Sequence, residues 1–429
     1  MVGNASALDL DMARFVTAKR AQAKDLAGTQ TNKVPPIVWS FFDAVRVDDW
    51  ETATNLAARV DNIGRYAGIN ADSLSPALQT AIWPVISETI GTYEQFHKWD
   101  NKLLHRFGSN IIASIPKGSV YFGGTDSGRF VISALSESHR DGRPFFTFTQ
   151  NQLADGRYLE YLRTMYGRKL YIPSMEDSQK AFEGYVADAG ERLKAGKLKP
   201  GEDVRTVEGR IQVNGQVAVM EINGLLIKII LEKNPNREFY IEESFPLDWM
   251  YPYLSPHDLI LELHHKPLTG LDEETLQRDY NYWKQFTGEL IGDWITDKTS
   301  VKEVCDFADK VYSREDRAGF KGNTAFAKND QSQKCFSKLR SSIASLYVWR
   351  MQHANGEPEK YRMRKAADLA FRQALALCPY SPEAIYRYSN FLVELKRPDE
   401  AIQIAETCIR LDPDDSWVKE FARQLRKSN

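Results

Sequence analysis

The sequence predicts an α/β fold in which a domain with a mostly parallel sheet is flanked by helical regions on both sides. Three observations lead to this prediction. Short β-rich runs alternate with helical segments between residues 116 and 268, residues 1–115 have helical periodicity, and residues 269–429 are helical with an internal repeat. A chain of 429 residues is long enough for about three domains.

The central domain, residues 116–268, is predicted from short apolar runs separated by helical segments such as GRYLEYLRTMYG and AVMEINGLLIKIILEKN. Short apolar strands that alternate with helices are typical of a parallel sheet with both faces covered. The predicted strands are SVYF, PFFTFTQ, KLYIP, GRIQV, EFYIEES and LILELHH.

The helical N-terminal region, residues 1–115, contains a predicted helix pair in PPIVWSFFDAVRVDDWETATNLAARV. Pro35 and Pro36 suit the entry of the first helix, because proline is tolerated in the first helical turn. Val47, Asp48 and Asp49 suit the turn between the two helices.

The C-terminal region, residues 269–429, repeats a pattern of small residues and proline after 34 residues. The repeated positions are Ala367, Phe371, Ala374 and Pro379 in one copy and Ala401, Ala405, Cys408 and Pro413 in the next. This period resembles the tetratricopeptide repeat, a pair of helices. The resemblance implies two such repeats over about 340–415, with HANGEPEKYRMR as an insertion between the helices of the first copy and DSWVKEFARQLRKSN as a capping helix.

Composition and charge favour a soluble protein of a reducing compartment, and we expect a cytoplasmic location. The net charge of −2 does not favour binding to nucleic acid, and no apolar stretch reaches the length of a membrane span. Four scattered cysteines without a C-x-x-C pair do not favour a zinc site or a disulfide scaffold.

The glycine-rich turn in VYFGGTDSGRF does not predict a nucleotide site, and we expect no cofactor. Gly123 to Gly128 match the spacing of a phosphate-binding loop, but Arg129 and Phe130 stand where that loop has lysine and a hydroxyl residue. Metal binding by Glu262 and His264, which share one strand face, is only weakly favoured, and we expect no metal.

Polar residues at the predicted strand ends indicate a ligand cleft, because ligands of open parallel sheets bind beyond the carboxyl ends of the strands. Carboxylate, amide and aromatic groups on one rim suit a glycan or another small polar ligand. The alternative is that these side chains only cap helices and fill the core. The predicted ligand-binding residues are Gly124, Thr125, Asp126, Arg129, Gln150, Asn151, Glu242, Trp249 and Tyr251.

The chain also resembles the soluble C-terminal module of a family of bacterial membrane proteins similar to O-mannosyltransferases. The resemblance is carried by VYFGGTDSGRFVISALSESHRDGRPFFTFTQNQLADGRYLEYLR, REFYIEESFPLDWMYPYLSPHDLILEL and FSKLRSSIASLYVWR, and covers about residues 105–415. In that family the chemistry belongs to a membrane-embedded half, which this sequence lacks. The resemblance therefore implies either a stand-alone relative or an excised soluble region, which would be extracytoplasmic.

A protein-binding face is implied by the repeat resemblance. The concave face of the second repeat would present Tyr386, Asn390, Val393 and Glu394. We expect this face to hold an apolar or basic segment, either a helix of the same chain or one of a second copy, so that partners are proteins or the chain itself.

The leading functional prediction is a non-catalytic binding or scaffold protein, related to the soluble part of glycosyltransferases and built for protein interaction. One alternative is a glycan-active enzyme or an accessory subunit of a membrane glycosyltransferase. In that case Asp126 and Glu242 would supply the pair of carboxylates that glycoside chemistry needs. The other alternative is a structural subunit that assembles into an oligomer.

Overall fold

The computed structural model describes residues 8–65, 76–136, 141–242 and 247–427. The described residues fall into two compact units. One contains the residues up to Lys98 together with Ile115–Phe239, and the other contains Trp99–Ser114 together with the residues from Tyr240 onward. The two units divide the chain differently from the three predicted regions.

Most of the described chain is helical, with short strands between the helices. In the N-terminal half the elements are α1 (Leu10–Ala27), α2 (Pro36–Arg46), α3 (Trp50–Arg65), α4 (Pro76–Lys98), α5 (Asn101–Ser114), β1 (Val120–Gly123), α6 (Asp126–Ser136), β2 (Phe146–Thr149), α7 (Gly156–Tyr166), α8 (Met175–Lys194), β3 (Asp203–Val207), β4 (Arg210–Asn214), α9 (Gly215–Lys233) and β5 (Phe239–Glu242).

Two short strands and a series of helices make up the rest of the described chain. These elements are β6 (Leu254–His257), β7 (Ile260–Leu263), α10 (Glu273–Ile291), α11 (Val301–Ala308), α12 (Asp330–Gln352), α13 (Glu357–Leu377), α14 (Pro382–Glu394), α15 (Pro398–Leu411) and α16 (Ser416–Lys427). None of the helices in the described ranges combines the length and the apolarity that a membrane crossing requires.

The main sheet is mixed, so the prediction of a mostly parallel sheet is not met. Its order is β2-β1-β5-β7-β6. β1 and β2 are parallel, with Val120 opposite Phe146, but β7 is antiparallel to both β5 and β6. β6 and β7 are joined by two residues only, Asp258 and Leu259, and so short a connection permits only an antiparallel pair.

One predicted strand is absent because the backbone groups that would pair with a neighbouring strand are hydrogen-bonded to a side chain instead. KLYIP, residues 169–173, contains no strand. The Asn234 side chain accepts a hydrogen bond from the Tyr171 amide at 2.8 Å and donates one to the Tyr171 carbonyl at 3.2 Å. The predicted strand GRIQV does form, but as β4 of a separate antiparallel hairpin with β3, turned at Glu208 and Gly209 with positive φ.

The core of the first unit surrounds β1 and β2, in which every residue is buried. α4 packs against α1, α6 and α7. The predicted helix pair is present as α2 and α3, and Asp48 takes a positive φ in the turn between them.

In the second unit α12 packs against α13, α14 against α15, and α15 against α16. The segment predicted as an insertion between two helices, HANGEPEKYRMR, is not an insertion. Its residues from Glu357 onward form the first turns of α13. Pro358 lies in the first of these turns, where proline is tolerated.

Candidate functional site

The glycine-rich turn after β1 is a tight connection that caps its own helix. A Cβ atom at Gly123 would lie 2.8 Å from backbone atoms of Gly128 and Arg129, so only glycine fits this close approach. The Thr125 hydroxyl accepts a hydrogen bond from the Gly128 amide at 2.9 Å, which caps α6. Ser127 is buried and donates to the side chain of Gln95 on α4 at 2.8 Å.

Arg129 and Asp126 form an ion pair in the first turn of α6, with Nη2 and Oδ1 2.8 Å apart. The Asp126 side chain is 63% exposed, whereas Arg129 is mostly covered and its guanidinium lies 4.2 Å from the centre of the Phe130 ring. The Nε atom of Arg129 is buried and has no hydrogen-bond partner among the described residues. The Nε donor of Arg129 is therefore unpaired within the described part of the chain.

Gln150 and Asn151 follow β2 directly, in the 3-10 turn Gln150–Gln152. Gln150 is fully buried, and neither its amide oxygen nor its amide nitrogen has a partner in the described part of the chain. Asn151 donates to the Gly124 carbonyl at 2.9 Å, which joins the ends of β1 and β2, but its Oδ1 atom is buried and unpaired within the same residues.

Asn223 of α9 belongs to the same region, although the sequence analysis did not identify it. Its Oδ1 accepts from the Ala154 amide at 2.7 Å, while its Nδ2 is buried without a partner among the described residues. An amide side chain within the apolar run of α9 was the signal that could have drawn attention to it. Gln150, Asn151, Asn223 and Arg129 are called the strand-end cluster below.

The Tyr158 phenol lies beside the end of β2, next to the strand-end cluster. Tyr158 accepts a hydrogen bond from the Thr149 amide at 2.7 Å. Burial, reinforced by the charge of Glu88, raises the pKa of Tyr158 well above its usual value, so the phenol stays neutral. The arrangement therefore offers hydrogen bonds and one guanidinium charge.

The other three predicted ligand-binding residues belong to the second unit, whereas Gly124, Thr125, Asp126, Arg129, Gln150 and Asn151 all belong to the first. Glu242 is buried in β5, and Tyr251 is stacked on Trp349 with ring centres 5.8 Å apart. Trp249 packs edge-on against Tyr253. The two carboxylates considered for a glycan-active enzyme, Asp126 and Glu242, thus belong to different units.

Glu262 and His264 of the second unit are engaged with each other and with a neighbour. His264 Nδ1 lies 3.3 Å from Glu262, and its Nε2 lies 2.8 Å from the Ser255 hydroxyl. Burial lowers the pKa of His264, although Glu262 opposes this effect. Both ring nitrogens have protein partners, which is typical of a structural histidine.

The residues predicted for a protein-binding face lie on α14, where three of them line a groove of about 310 Å³ with α12. Tyr386, Asn390 and Glu394 line this groove, together with Tyr251 and Trp349. Val393 is exposed on the same helix but does not line it. The Tyr386 ring also contacts α16, at 5.9 Å from Trp417 and 5.6 Å from Phe421.

Comparison of the chain with protein-family models, with curated proteins and with solved structures finds no match. Both candidate sites are therefore assigned from their geometry.

Proposed function

We propose that this chain is a non-catalytic binding protein whose strand-end cluster holds a small polyhydroxylated ligand. The observation that carries the proposal is Gln150, which is fully buried while both atoms of its amide group lack a partner among the described residues. Each buried polar group left unpaired costs about 1–3 kcal/mol of stability. A ligand that pairs these groups recovers that cost as binding free energy.

The unpaired atoms of the cluster specify the kind of group that would pair them. Gln150 offers one donor and one acceptor, Asn151 adds an acceptor, and Asn223 and Arg129 each add a donor. Hydroxyl groups both donate and accept, so a ligand with several hydroxyls satisfies such a mixed set. A carboxylate or a phosphate could accept hydrogen bonds from the donors only. It would be repelled by the two unpaired amide oxygens, those of Gln150 and Asn151.

Binding without catalysis is supported by the chemistry of the same residues. Amides and a guanidinium do not act as general acids or bases near neutral pH. The Tyr158 phenol beside the cluster has a raised pKa because it is buried. A sugar held here would be recognised and released unchanged.

The proposal is tested by comparing two isosteric substitutions in one turn. Gln150→Met removes the unpaired amide, whereas Gln152→Met, two residues on, changes a side chain outside the cluster. With a panel of free pentoses, hexoses and disaccharides, we expect the unaltered protein and Gln152→Met to show a saturable rise in melting temperature with at least one sugar. A sugar at a concentration of 100 times its Kd should stabilise the folded protein by about 2.7 kcal/mol. Gln150→Met should show no rise. If no sugar stabilises the unaltered protein, or if Gln150→Met responds equally, the assignment is wrong.

A second function, binding of a polypeptide segment through tetratricopeptide-like helices, is favoured by a separate observation. Three of the four residues chosen for the protein-binding face line one groove. Asn390 places an amide group there, which matches the backbone N–H and C=O groups of an extended peptide, while the Gln352 amide in the same groove donates to Glu394 at 3.0 Å. Tyr386 adds an exposed ring, with 49% of its surface accessible.

The groove proposal is tested with Tyr386→Glu combined with Val393→Lys, using sedimentation and thermal melting. If a second copy of the chain occupies the groove, the double variant should sediment at a lower mass. If α16 alone completes the face, the mass should not change, but the melting temperature should fall because Tyr386 loses its contacts with Trp417 and Phe421. Val393→Lys alone keeps those contacts and is the control. Unchanged mass and unchanged melting temperature would refute the proposed interaction face.

A further inference from the structure

A second-unit pocket that no sequence motif predicted lies between the end of α10, the end of α11 and the loop that follows it. Its volume is about 300 Å³. Its lining includes three aromatic and three charged side chains, Trp294, Phe307, Phe320, Asp293, Lys310 and Lys321. This volume is at the lower end of the range of about 300–1,000 Å³ found for small-molecule sites, so the pocket fits one small molecule.

Three aromatic rings form the wall of the pocket, and all three are only partly buried. The Trp294 and Phe307 rings lie 4.6 Å apart at an angle of 36°, and the Phe307 and Phe320 rings lie 6.2 Å apart at 39°. The rings contact one another in pairs, and the part of each ring that remains accessible leaves apolar area in the pocket for a further ring.

The wall is held in place by contacts made behind the rings. The indole nitrogen of Trp294 donates to the Ile291 carbonyl at 3.1 Å, which fixes the ring at the end of α10. α11 continues into a π-helix, Asp309–Ser313, whose Tyr312 packs edge-on against Phe307 and donates to the Ala376 carbonyl at 3.0 Å. Single π-helical turns often occur at functional sites.

The loop that carries Phe320 and Lys321 is fixed by a close backbone approach at Gly322. A Cβ atom there would lie 2.4 Å from the Leu290 carbonyl oxygen, so no other residue fits without moving the loop. The next residue, Asn323, donates its amide to the same carbonyl at 2.9 Å. The pocket is therefore already formed before any ligand enters, which lowers the entropic cost of binding.

The pocket is also lined by charged side chains of both signs. Lys310 uses one of its three donors on the Ala318 carbonyl at 2.8 Å, which leaves two. Lys321 and Asp293 are both exposed. An aromatic ligand with only a carboxylate would be repelled by the negative charge of Asp293. One with only an ammonium group would be repelled by the positive charges of Lys310 and Lys321.

We propose that this pocket binds a free aromatic α-amino acid. Its ring would pack against Trp294, Phe307 and Phe320, its carboxylate would pair with Lys310 and Lys321, and its ammonium group with Asp293. The zwitterion of an aromatic α-amino acid has the apolar ring and both charges in one small molecule. The inference concerns a site in the second unit and does not depend on the strand-end cluster.

The class of ligand is tested by calorimetry on the full chain with matched compounds. The probes are L-tryptophan, tryptamine without the carboxylate, indole-3-propionate without the ammonium group, and L-leucine without the aromatic ring. We expect L-tryptophan to bind most tightly, and each compound that lacks one charge to bind about five-fold more weakly, the value of an ion pair at an exposed rim. L-Leucine should give no measurable heat. Absence of binding by L-tryptophan, or equal binding of tryptamine and indole-3-propionate with it, overturns the proposal.

Two surface substitutions assign each charge to its partner. Asp293→Asn should weaken L-tryptophan about five-fold but leave indole-3-propionate unchanged or slightly improved. Lys321→Gln should weaken both of these compounds and leave tryptamine unchanged or improved. Lys298→Gln, which changes an exposed lysine outside the pocket, is the control and should have no effect. If the three variants weaken all compounds alike, the charges do not contact the ligand and the assignment fails.

Discussion

The strand-end cluster of the first unit and the Arg340 cluster of the second are both buried and polar, but they differ in their hydrogen bonds. Arg340 donates to both Asp279 oxygens, at 3.0 and 2.8 Å, and to Gln373 at 2.8 Å. Its guanidinium also lies 4.8 Å from the Trp283 ring centre. Gln150 has no such partner among the described residues. The Arg340 cluster therefore has the hydrogen bonds of a cluster that holds the fold together, whereas the strand-end cluster has the unpaired buried amide on which our binding proposal rests.

Breaking the Arg340 cluster should have the largest effect on stability. Arg340→Met leaves the Asp279 carboxylate buried without its counter-charge, and such a change typically costs about 3–5 kcal/mol. We expect a loss of this size in the free energy of unfolding, measured by urea denaturation. Lys334→Met, which removes a half-exposed lysine from the same helix, should cost about 1 kcal/mol or less.

The double variant Arg340→Met with Asp279→Leu should recover most of that loss, because no buried charge is then left unpaired. A loss below about 1 kcal/mol for Arg340→Met alone would show that this cluster does not stabilise the fold, and the distinction from the strand-end cluster would disappear.

Glu202 shows that the first unit also pairs buried charge where the fold requires it. Its side chain is fully buried, pairs with Arg192, and accepts hydrogen bonds from the Tyr185 hydroxyl at 2.8 Å and the Lys199 amide at 2.9 Å. Burial opposes ionisation, but these donors outweigh it and lower the pKa of Glu202 from 4.5 to about 2. The unpaired state of Gln150 is therefore not a general property of this unit.

The lowered pKa predicts acid sensitivity of the packing between α8 and the β3–β4 hairpin. A carboxyl whose pKa is lower in the folded state stabilises the fold above its unfolded pKa and loses that contribution as the pH falls from about 4.5 to about 2. We expect on the order of 2 kcal/mol to be lost across this window. Glu202→Gln should remove that part of the pH dependence.

Denaturation at a series of pH values from 7 to 2 measures the effect of Glu202. Glu191→Gln on α8 is the control, because the Glu191 side chain is 74% exposed and pairs only with Lys194 in the described chain. Identical pH profiles for the unaltered protein and Glu202→Gln would show that the carboxyl is not stabilised by its three donors.

The sequence predicted those parts of the fold that depend on local pattern. β1 and β2 are short runs rich in aromatic and β-branched residues, and both their existence and their parallel pairing agree with the structure. β6 was not among the predicted strands. It contains Pro256, a residue that is disfavoured in a central strand but tolerated at the sheet edge, where β6 lies. The false strand at 169–173 is a long-range effect of Asn234, which no local pattern contains.

The candidate sites were predictable to a similar extent. Gln150 and Asn151 could be chosen because they follow a strand of a predicted parallel sheet, and Tyr386 and Asn390 because the resemblance to the tetratricopeptide repeat implied a concave face. The aromatic pocket could not be predicted, because Trp294, Phe307 and Phe320 come from a helix end, a short helix and a loop. Asn223 was missed because its position opposite the end of β2 depends on how α9 packs.

Apart from the control variants, Gln150→Met should change the free energy of unfolding least, and in the opposite direction to Arg340→Met. This small change tests whether the strand-end cluster is a binding site. Gln150→Met replaces an unpaired buried amide with an apolar side chain of similar shape, so the free energy of unfolding without ligand should rise by about 1 kcal/mol. Gln152→Met should change it by less than about 0.5 kcal/mol, as is usual away from buried polar groups. Urea denaturation of both variants without sugar provides the measurement.

A loss of stability for Gln150→Met would mean that the amide is paired inside the folded protein, and the contrast with Arg340 would fail. A gain in stability accompanied by loss of sugar binding is the result expected of a residue retained for binding at the expense of stability.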